Sequence, residues 1–366
     1  MIEWPIYAGN PRIRDGLLAE SNATLRVLAW PRRISRQCLD AFARQFSCGV
    51  ELSTFSTMAH AIAAITSRRA RFDVFIGAPA NITAALVSGQ LVRPLTRSYL
   101  PNVSQLWPRL SSPYYDVHLR YTIPYSVYTT GIAWRKDMLG ADLFASQAGW
   151  SFPWQVVYRH KVAILDDYRE ALCLAMLATG RTDLNVTDPL LIDQAGKALL
   201  ARLNLVLASI DNNASQGLGS GRTPIHQAWS GQAVAAAAEL PPGVPPELIG
   251  YWFPPNGQGP VANDTATIPR GARHPVLAHL FLNFLLDPTN ALLNIRHTGF
   301  TQPLVALPTE LLVREGAVPA SLASAAVLPS FYDAGLKEFE LSDSVRQLWR
   351  QQWQLVLRGT RADTRA

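Results

Sequence analysis

Cysteine is scarce in this sequence, charge is sparse, and long apolar runs are missing. Three cysteines in 366 residues, Cys38, Cys48 and Cys173, exclude a disulfide-stapled mini-protein. With no CxxC spacing and no accompanying histidine pattern, they make no zinc site either. Cys38 and Cys48 would pair in an oxidising compartment; the reading preferred here is three buried thiols. No uninterrupted apolar run approaches the ~20 residues that span a bilayer. The N-terminus, Met1-Ile2-Glu3-Trp4-Pro5, shows no basic segment followed by an apolar one, so no signal peptide is visible. Charged residues make up only 16% of the chain against 48% apolar ones, a balance far from that of disordered sequences. The length leaves room for two or three domains.

Lys and Arg number 33 against 27 Asp and Glu, a net charge of +6. Such an excess fits an anionic partner, yet its distribution argues otherwise. The arginines are scattered, with small clusters at Arg32-Arg33 and Arg68-Arg69, and aromatics do not interleave with them as on an RNA-binding sheet. No nucleic-acid partner is expected. Enzyme signatures are also missing: there is no GxxxxGK[ST] loop, no HExxH and no GxSxG elbow. Gly217-Leu218-Gly219-Ser220-Gly221 follows Asn212-Asn213 in a polar stretch, not a strand, which makes it a poor phosphate cradle. The seven histidines are far apart; only His274 and His279 come close, and that spacing does not share a helix face. The sequence therefore calls for no catalytic residue, no metal and no cofactor.

What is present is a repeated strand-then-helix unit. Strands are expected at 24–30, 50–55 and 72–76, with helices around 34–46 and 58–67 between them. This order is that of an α/β protein with a mainly parallel sheet, in which ligands bind beyond the carboxyl ends of the strands. Trp30, Phe55 and residues 77–80 fall on that rim. A β-rich stretch from Tyr121 to Trp134 follows, with Gly131 placed to ease a crossover and a boundary near 135. A second series then begins: a strand at 162–165, an acidic turn at Asp166-Asp167, and a helix to about Ala178 whose amides the acid can cap. Asp188 is expected to cap a helix at 189–205. Beyond it come a polar loop at 211–222, a short helix at 225–230, an apolar strand at 233–238, and a strand at 264–268. An amphipathic helix at 276–286 and a last helix at 342–357, with Trp349 and Trp353 one turn apart in the core, complete the reading.

Acids and aromatics stand at the junctions of this plan. Asp167 and Glu170 lie at a strand-to-helix turn, and Asp264 follows a Gly/Pro-rich loop. Trp30 ends a strand, and Trp229 precedes Ser230-Gly231. Carboxylates hold ammonium groups by charge-assisted hydrogen bonds, and indole faces add cation–π attraction while covering methylenes. The same residues would also serve as helix caps and core fillers.

At these positions the chain resembles the spermidine/putrescine-binding proteins of bacterial ABC importers, within the wider extracellular solute-binding proteins. The marks run collinearly from Thr24 to Leu357. They are Leu28-Ala29-Trp30, Ser53-Thr54-Phe55, Phe72-Asp73-Val74, Ile123-Pro124-Tyr125, Asp166-Asp167-Tyr168-Arg169-Glu170, Trp229-Ser230-Gly231, Asp264-Thr265-Ala266-Thr267-Ile268-Pro269 and Asn283-Phe284-Leu285-Leu286-Asp287-Pro288. The resemblance implies a two-lobed α/β fold of the periplasmic-binding-protein type (type II), each lobe a mainly parallel sheet flanked by helices, with a hinge. Residues 24–134 and 264–308 would form one lobe, residues 135–263 and 309–366 the other, and residues 1–23 an N-terminal extension. A polyamine-like cation would be captured between the lobes as they close and delivered to the membrane permease subunits of the importer. The binder would be a monomer in the periplasm or another extracytoplasmic space, at the membrane through the permease or a lipid anchor. Trp30, Trp229 and Phe300 match ligand-lining aromatic positions, and Asp167, Glu170 and Asp264 match the acids that hold amines. Departures are visible: Pro31-Arg32-Arg33 lacks the aromatic expected after Trp30, Ala78 and Ala80 replace a hydroxyl and a tyrosine, Ala262 replaces a tryptophan, and Phe300 replaces a tyrosine. A larger or differently shaped amine would fit that loss. The rivals are another cationic or small polar solute on the same fold, and a two-lobed α/β enzyme.

Overall fold

The β-rich runs of the sequence become strands. The computed structural model describes residues 1–67, 71–139 and 149–363, which leaves Arg68 and Arg69 outside the described residues. Along the described chain run β1 (Thr24–Ala29), β2 (Gly49–Thr54), β3 (Val74–Pro79), β4 (Thr122–Arg135), β5 (Val162–Ile164), β6 (Leu207–Ile210), β7 (Ile225–Trp229), β8 (Ile249–Trp252) and β9 (Val261–Thr267). The chain divides into two units, Met1–Val127 with Ala262–Ala317 and Tyr128–Val261 with Val318–Ala366. The first exchange point falls inside β4.

In the first unit β1 pairs in parallel with both β2 and β3, and β9 pairs antiparallel with β3. Parallel pairing demands crossovers, which the Arg36–Phe46 and Met58–Thr66 helices supply. The first buries Cys38, Leu39 and Phe42 on the face that the sequence spacing marks. Leu28, Phe55, Phe75, Leu86 and Tyr121 form a core on which Trp4, Tyr7 and Trp30 pack. Residues 1–23 are thus built into this unit. The Glu20 carboxylate accepts the Val276 and Leu277 amides at 3.0 and 2.9 Å, capping the Pro275–Leu285 helix, which has no side-chain cap from His274.

In the second unit β7 pairs antiparallel with β4 and parallel with β5, β6 lies parallel on β5, and β8 lies antiparallel on β4. Gly131 serves close approach here: a Cβ there would lie 2.2 Å from the Trp252 carbonyl oxygen, so the glycine admits β8. Trp349 and Trp353 lie in the core as expected, and the Trp349 indole donates to the Val186 carbonyl at 3.0 Å.

Three local expectations are overturned. Residues 225–230, read as a helix, contain β7, and of residues 233–238, read as a strand, all but the C-cap Ala238 belong to the Ser230–Ala237 helix. The alanine run at 235–238 is apolar but is the strongest of helix formers, while His226 and Gln227 hid a strand buried on both faces. The polar stretch at 211–222 contains the Ala214–Ser220 helix, which ends on Gly221 in the left-handed region. All three cysteines are free thiols, and Cys48 is half-buried, not buried.

Candidate functional site

In the second unit the sheet order places the site. β5 and β7 are parallel neighbours, so the turn after β5 and the last residue of β7 meet at one carboxyl edge. That edge carries Asp167, Glu170 and Trp229. Asp167 is the N-cap of the Tyr168–Leu177 helix, its Oδ1 accepting the Arg169 and Glu170 amides at 2.8 and 3.2 Å. The helix turns Glu170 toward Trp229, whose indole N–H donates to Glu170 Oε1 at 2.7 Å. Thr130 of β4 donates its hydroxyl to the same oxygen at 2.9 Å. The Tyr128 ring meets Trp229 edge-on, centroids 6.0 Å apart.

A third carboxylate joins this group from far along the chain. Arg169 is buried and donates to the Leu184 carbonyl at 2.8 Å and to the Phe339 carbonyl at 3.3 Å, with its Nε 3.9 Å from Glu338 Oε2. Asn185 clamps the residues flanking Glu338, accepting the Phe339 amide at 2.7 Å and donating to the Lys337 carbonyl at 2.9 Å. Glu338 thus stands beside the Arg169 guanidinium, and the charges of Glu338 and Asp167 both act on Glu170. The effect on their acidity is direct. Burial raises the Glu170 carboxyl far above the ordinary glutamate range, Glu338 and Asp167 repel it further, and the bonds from Trp229 and Thr130 only partly offset this. Burial likewise raises Glu338 against the pull of Arg169, with Asp167 adding to the rise. Asp167 is raised by burial against the helix amides and Arg169.

In the first unit the same edge rule applies. Trp30 follows β1, and the β3–β9 register sets Asp264 opposite Pro79, so both lie at the carboxyl ends of β1 and β3. Asp264 is within β9, not at its start. The Trp30 indole N–H donates to the Gly77 carbonyl at 2.8 Å, and its ring lies 4.3 Å from Phe55. Gly77 has φ +95°, and a Cβ on it would sit 2.4 Å from Trp30 Cδ1, so only glycine lets the indole lie there. The Pro31-Arg32-Arg33 turn, with Arg32 at φ +61°, brings Arg33 over the site. The Arg33 guanidinium lies 3.5 Å above the Phe300 ring centroid, and its Nη1 is 3.3 Å from Asp264 Oδ2. Exposure of these two charged side chains is 11% and 4%. The Tyr125 hydroxyl donates to the Arg33 carbonyl at 2.6 Å and accepts from Asn294 at 2.6 Å, fixing the turn.

The structure thus brings Asp167, Glu170 and Trp229 together in one unit, and Trp30, Asp264 and Phe300 onto the other. Sequence reasoning missed Glu338, Thr130 and Arg33. Arg33 was visible as a departure from the expected aromatic, whereas nothing local marked Glu338. Among the described residues, no group of three or more His, Cys, Asp or Glu is arranged to hold a metal ion. The buried thiols are poor nucleophiles: burial pushes Cys38 up to about 12 and Cys173 well above its ordinary range.

The model of one protein family, described as bacterial extracellular solute-binding protein, matches residues 37–306. The chain belongs to that family. Among solute-binding relatives, a spermidine/putrescine-binding periplasmic protein of Haemophilus influenzae is 27% identical over 275 residues, which is 75% of this chain and 73% of that protein. A putrescine/cadaverine-binding protein of Pseudomonas aeruginosa is 27% identical over 293 residues, covering 78% of this chain and 80% of that one. The crystal structure of a spermidine/putrescine ABC transporter substrate-binding protein from Streptococcus pneumoniae aligns with a TM-score of 0.74 over 92% of this chain and 99% of that chain, at 20% identity. The two-lobed α/β class expected of a solute-binding protein is therefore the observed one.

Proposed function

We propose that this solute-binding protein is the substrate-binding component of an ABC importer and that it captures an aliphatic ammonium compound of the polyamine class. One observation carries the reading: Glu170, held by the Trp229 indole N–H at 2.7 Å, is buried with the charges of Glu338 and Asp167 acting on it, so that burial and repulsion raise its carboxyl toward the protonated form and only a positive charge would keep it ionised. An ammonium ion supplies that charge, replaces lost solvation with charge-assisted hydrogen bonds, and leaves Glu170 ionised. The Trp229 indole, tied to Glu170, offers a face for the methylenes of such a cation. The names of the curated relatives point to the same ligand class.

The protein acts by reversible binding and not by catalysis. Affinity that differs between conformations shifts their equilibrium, and the liganded form is the one presented to the permease. It works in an extracytoplasmic space, as the name of a periplasmic relative suggests, and it does so as a monomer. Titration calorimetry with putrescine and spermidine tests the site. The wild-type chain is expected to bind at least one of them, and Glu170→Gln to lose about tenfold or more, since one hydrogen bond to a charged group contributes roughly 1.5 to 3 kcal/mol. Equal affinity in both proteins overturns the assignment of Glu170, and binding of neutral sugars in place of amines overturns the ligand class.

A further inference from the structure

The positive charge of this chain lies in its first unit, which holds 18 of the 33 Lys and Arg residues, all of them arginine, against 11 of the 27 acids. Scattered in the sequence, several of these arginines are gathered by the fold into one surface strip. An antiparallel bridge sets Val92 opposite Pro269, so Arg93 and Arg270, one step beyond each, are diagonal neighbours on one face. Arg93 donates to the Arg270 carbonyl at 3.4 Å, and Arg270 to the Gly9 carbonyl at 2.7 Å. From Gly9 the chain runs on beside residues 95–99. Arg12 donates to the Leu95 carbonyl at 3.0 Å, and the Tyr99 hydroxyl accepts the Leu17 amide at 2.7 Å. Arg97 stands exposed in the turn before Tyr99. The guanidiniums of Arg12, Arg93 and Arg270 are thus fixed on neutral oxygens. Among the described residues, none of these four arginines pairs with a carboxylate. Asp15 and Glu20, the acids of this segment, accept from the Ser98 hydroxyl and from the Val276 and Leu277 amides. The Arg93 Nε is buried without a partner, and burial together with the Arg270 charge holds the Arg93 guanidinium below its ordinary range.

Apolar surface stands beside these arginines. Leu17 is 46% and Leu18 91% exposed, and the amide bond to Tyr99 holds Leu17 at the strip. We infer that this strip docks the first unit on the anionic face of a phospholipid bilayer, with Arg12, Arg93, Arg97 and Arg270 on headgroup phosphates and Leu17-Leu18 at the acyl boundary. Two features select this occupant. Uncompensated guanidiniums along an extended surface match a plane of phosphates, with which arginine pairs through two parallel hydrogen bonds. An exposed leucine pair among them is the apolar element that an interfacial binder inserts, and it adds to the electrostatic attraction. A free phosphate calls for donors converging on one point and leaves Leu18 with nothing to cover it. Reversible adsorption of this kind raises the local concentration of a binder at the membrane to which it delivers. The inference goes beyond amine capture and does not depend on it, since every residue involved belongs to the first unit and vesicle binding is read with no amine present.

Flotation of the full chain with lipid vesicles tests the inference. The wild type is expected to float with vesicles of equal parts phosphatidylglycerol and phosphatidylcholine and to stay behind with phosphatidylcholine alone. Binding should weaken as salt is raised, because screening shortens the reach of the charges. Arg12→Gln combined with Arg97→Gln should lower the partition coefficient by about tenfold or more, and Leu18→Ser by about threefold or more. Arg12 also bonds the Leu95 carbonyl, so the melting temperature of the double variant is measured alongside. If it falls, the exposed Arg97→Gln alone, expected to lower partition by about threefold or more, carries the charge test. Equal binding to the two kinds of vesicle, none included, overturns the docking surface, as does a partition coefficient unchanged in either the arginine variant or Leu18→Ser. A rise in the wild-type melting temperature with inorganic phosphate or poly-L-glutamate, without binding to vesicles, overturns the lipid as occupant.

Discussion

The Trp229 indole N–H donates to Glu170 Oε1 across 2.7 Å, which ties an aromatic ring to a carboxylate. The bond sets the ring and, with that from the Thr130 hydroxyl, opposes the rise in the Glu170 carboxyl that burial causes. Trp229→Phe keeps a ring of similar placement and removes the donor. The expected result is a loss of affinity for amines of about tenfold or more at neutral pH, from the roughly 1.5 to 3 kcal/mol of a hydrogen bond to a charged group. Part of the loss should be recovered at higher pH, where Glu170 ionises without help. A calorimetric titration series across pH reads both effects, and a pH-independent loss would assign the ring's contribution to packing alone.

The raised pKa values of Glu170 and Glu338 make a signed prediction about stability. An acid whose pKa is raised on folding holds its proton in the folded chain over a range where the unfolded chain has released it. Stability therefore falls as pH rises from the ordinary glutamate value of 4.5 through the raised folded value, and stays lowered above it. Glu170→Gln removes one of these groups. The variant should gain melting temperature relative to wild type between about pH 5 and about pH 9, even as it loses amine affinity. Amine binding to the wild type should release protons, seen as a binding enthalpy that varies with the ionisation enthalpy of the buffer. A constant difference in melting temperature across pH would show that folding does not raise the Glu170 carboxyl.

How much of this was legible in the sequence depends on distance along the chain. Asp167 as a helix cap, the Cys38–Leu39–Phe42 face and the core tryptophans Trp349 and Trp353 were readable because each follows from neighbours within a turn or two. β7 and the helix after it were exchanged because the sequence shows polar His226 and Gln227 in a strand that the sheet buries from both sides, and alanines in a helix that reads simply as apolar. Glu338 escaped notice because its meeting with Arg169 depends on Asn185 clamping a loop remote in sequence. Asp264 was marked as an acid for a ligand, yet its Arg33 partner emerges only when the β3–β9 register sets that acid beside the end of β3.

Gly77 offers a test of the first unit that involves no ligand. With φ at +95° and the Trp30 ring where a Cβ would project, Gly77→Ala must pay both for a left-handed backbone and for a displaced indole. The expected cost is about 2 to 4 kcal/mol, from roughly 1 to 2 kcal/mol of left-handed backbone strain plus a displaced packing contact. Loss of the Trp30 bond to the Gly77 carbonyl should also shift tryptophan fluorescence toward longer wavelength as the ring gains water. An unchanged denaturation midpoint would mean that the turn relaxes without strain.

Asp167 is the residue at which a structural and a functional role are most entangled, because its Oδ1 caps a helix while its charge adds to the Glu170–Glu338 crowd. Two substitutions separate them. Asparagine caps a helix about as well as aspartate, so Asp167→Asn should leave the melting temperature nearly unchanged, whereas Asp167→Ala should cost about 1 kcal/mol. On the functional side both remove the same charge. If that charge attracts the ammonium, both variants should lose amine affinity to a similar degree, and Glu170 should become easier to ionise in both, since one of its repelling neighbours is gone. If Asp167 is only a cap, Asp167→Asn should bind like wild type and Asp167→Ala should lose stability alone. Paired denaturation and calorimetry on the two variants therefore assign the residue, because capping and charge predict opposite behaviour for asparagine.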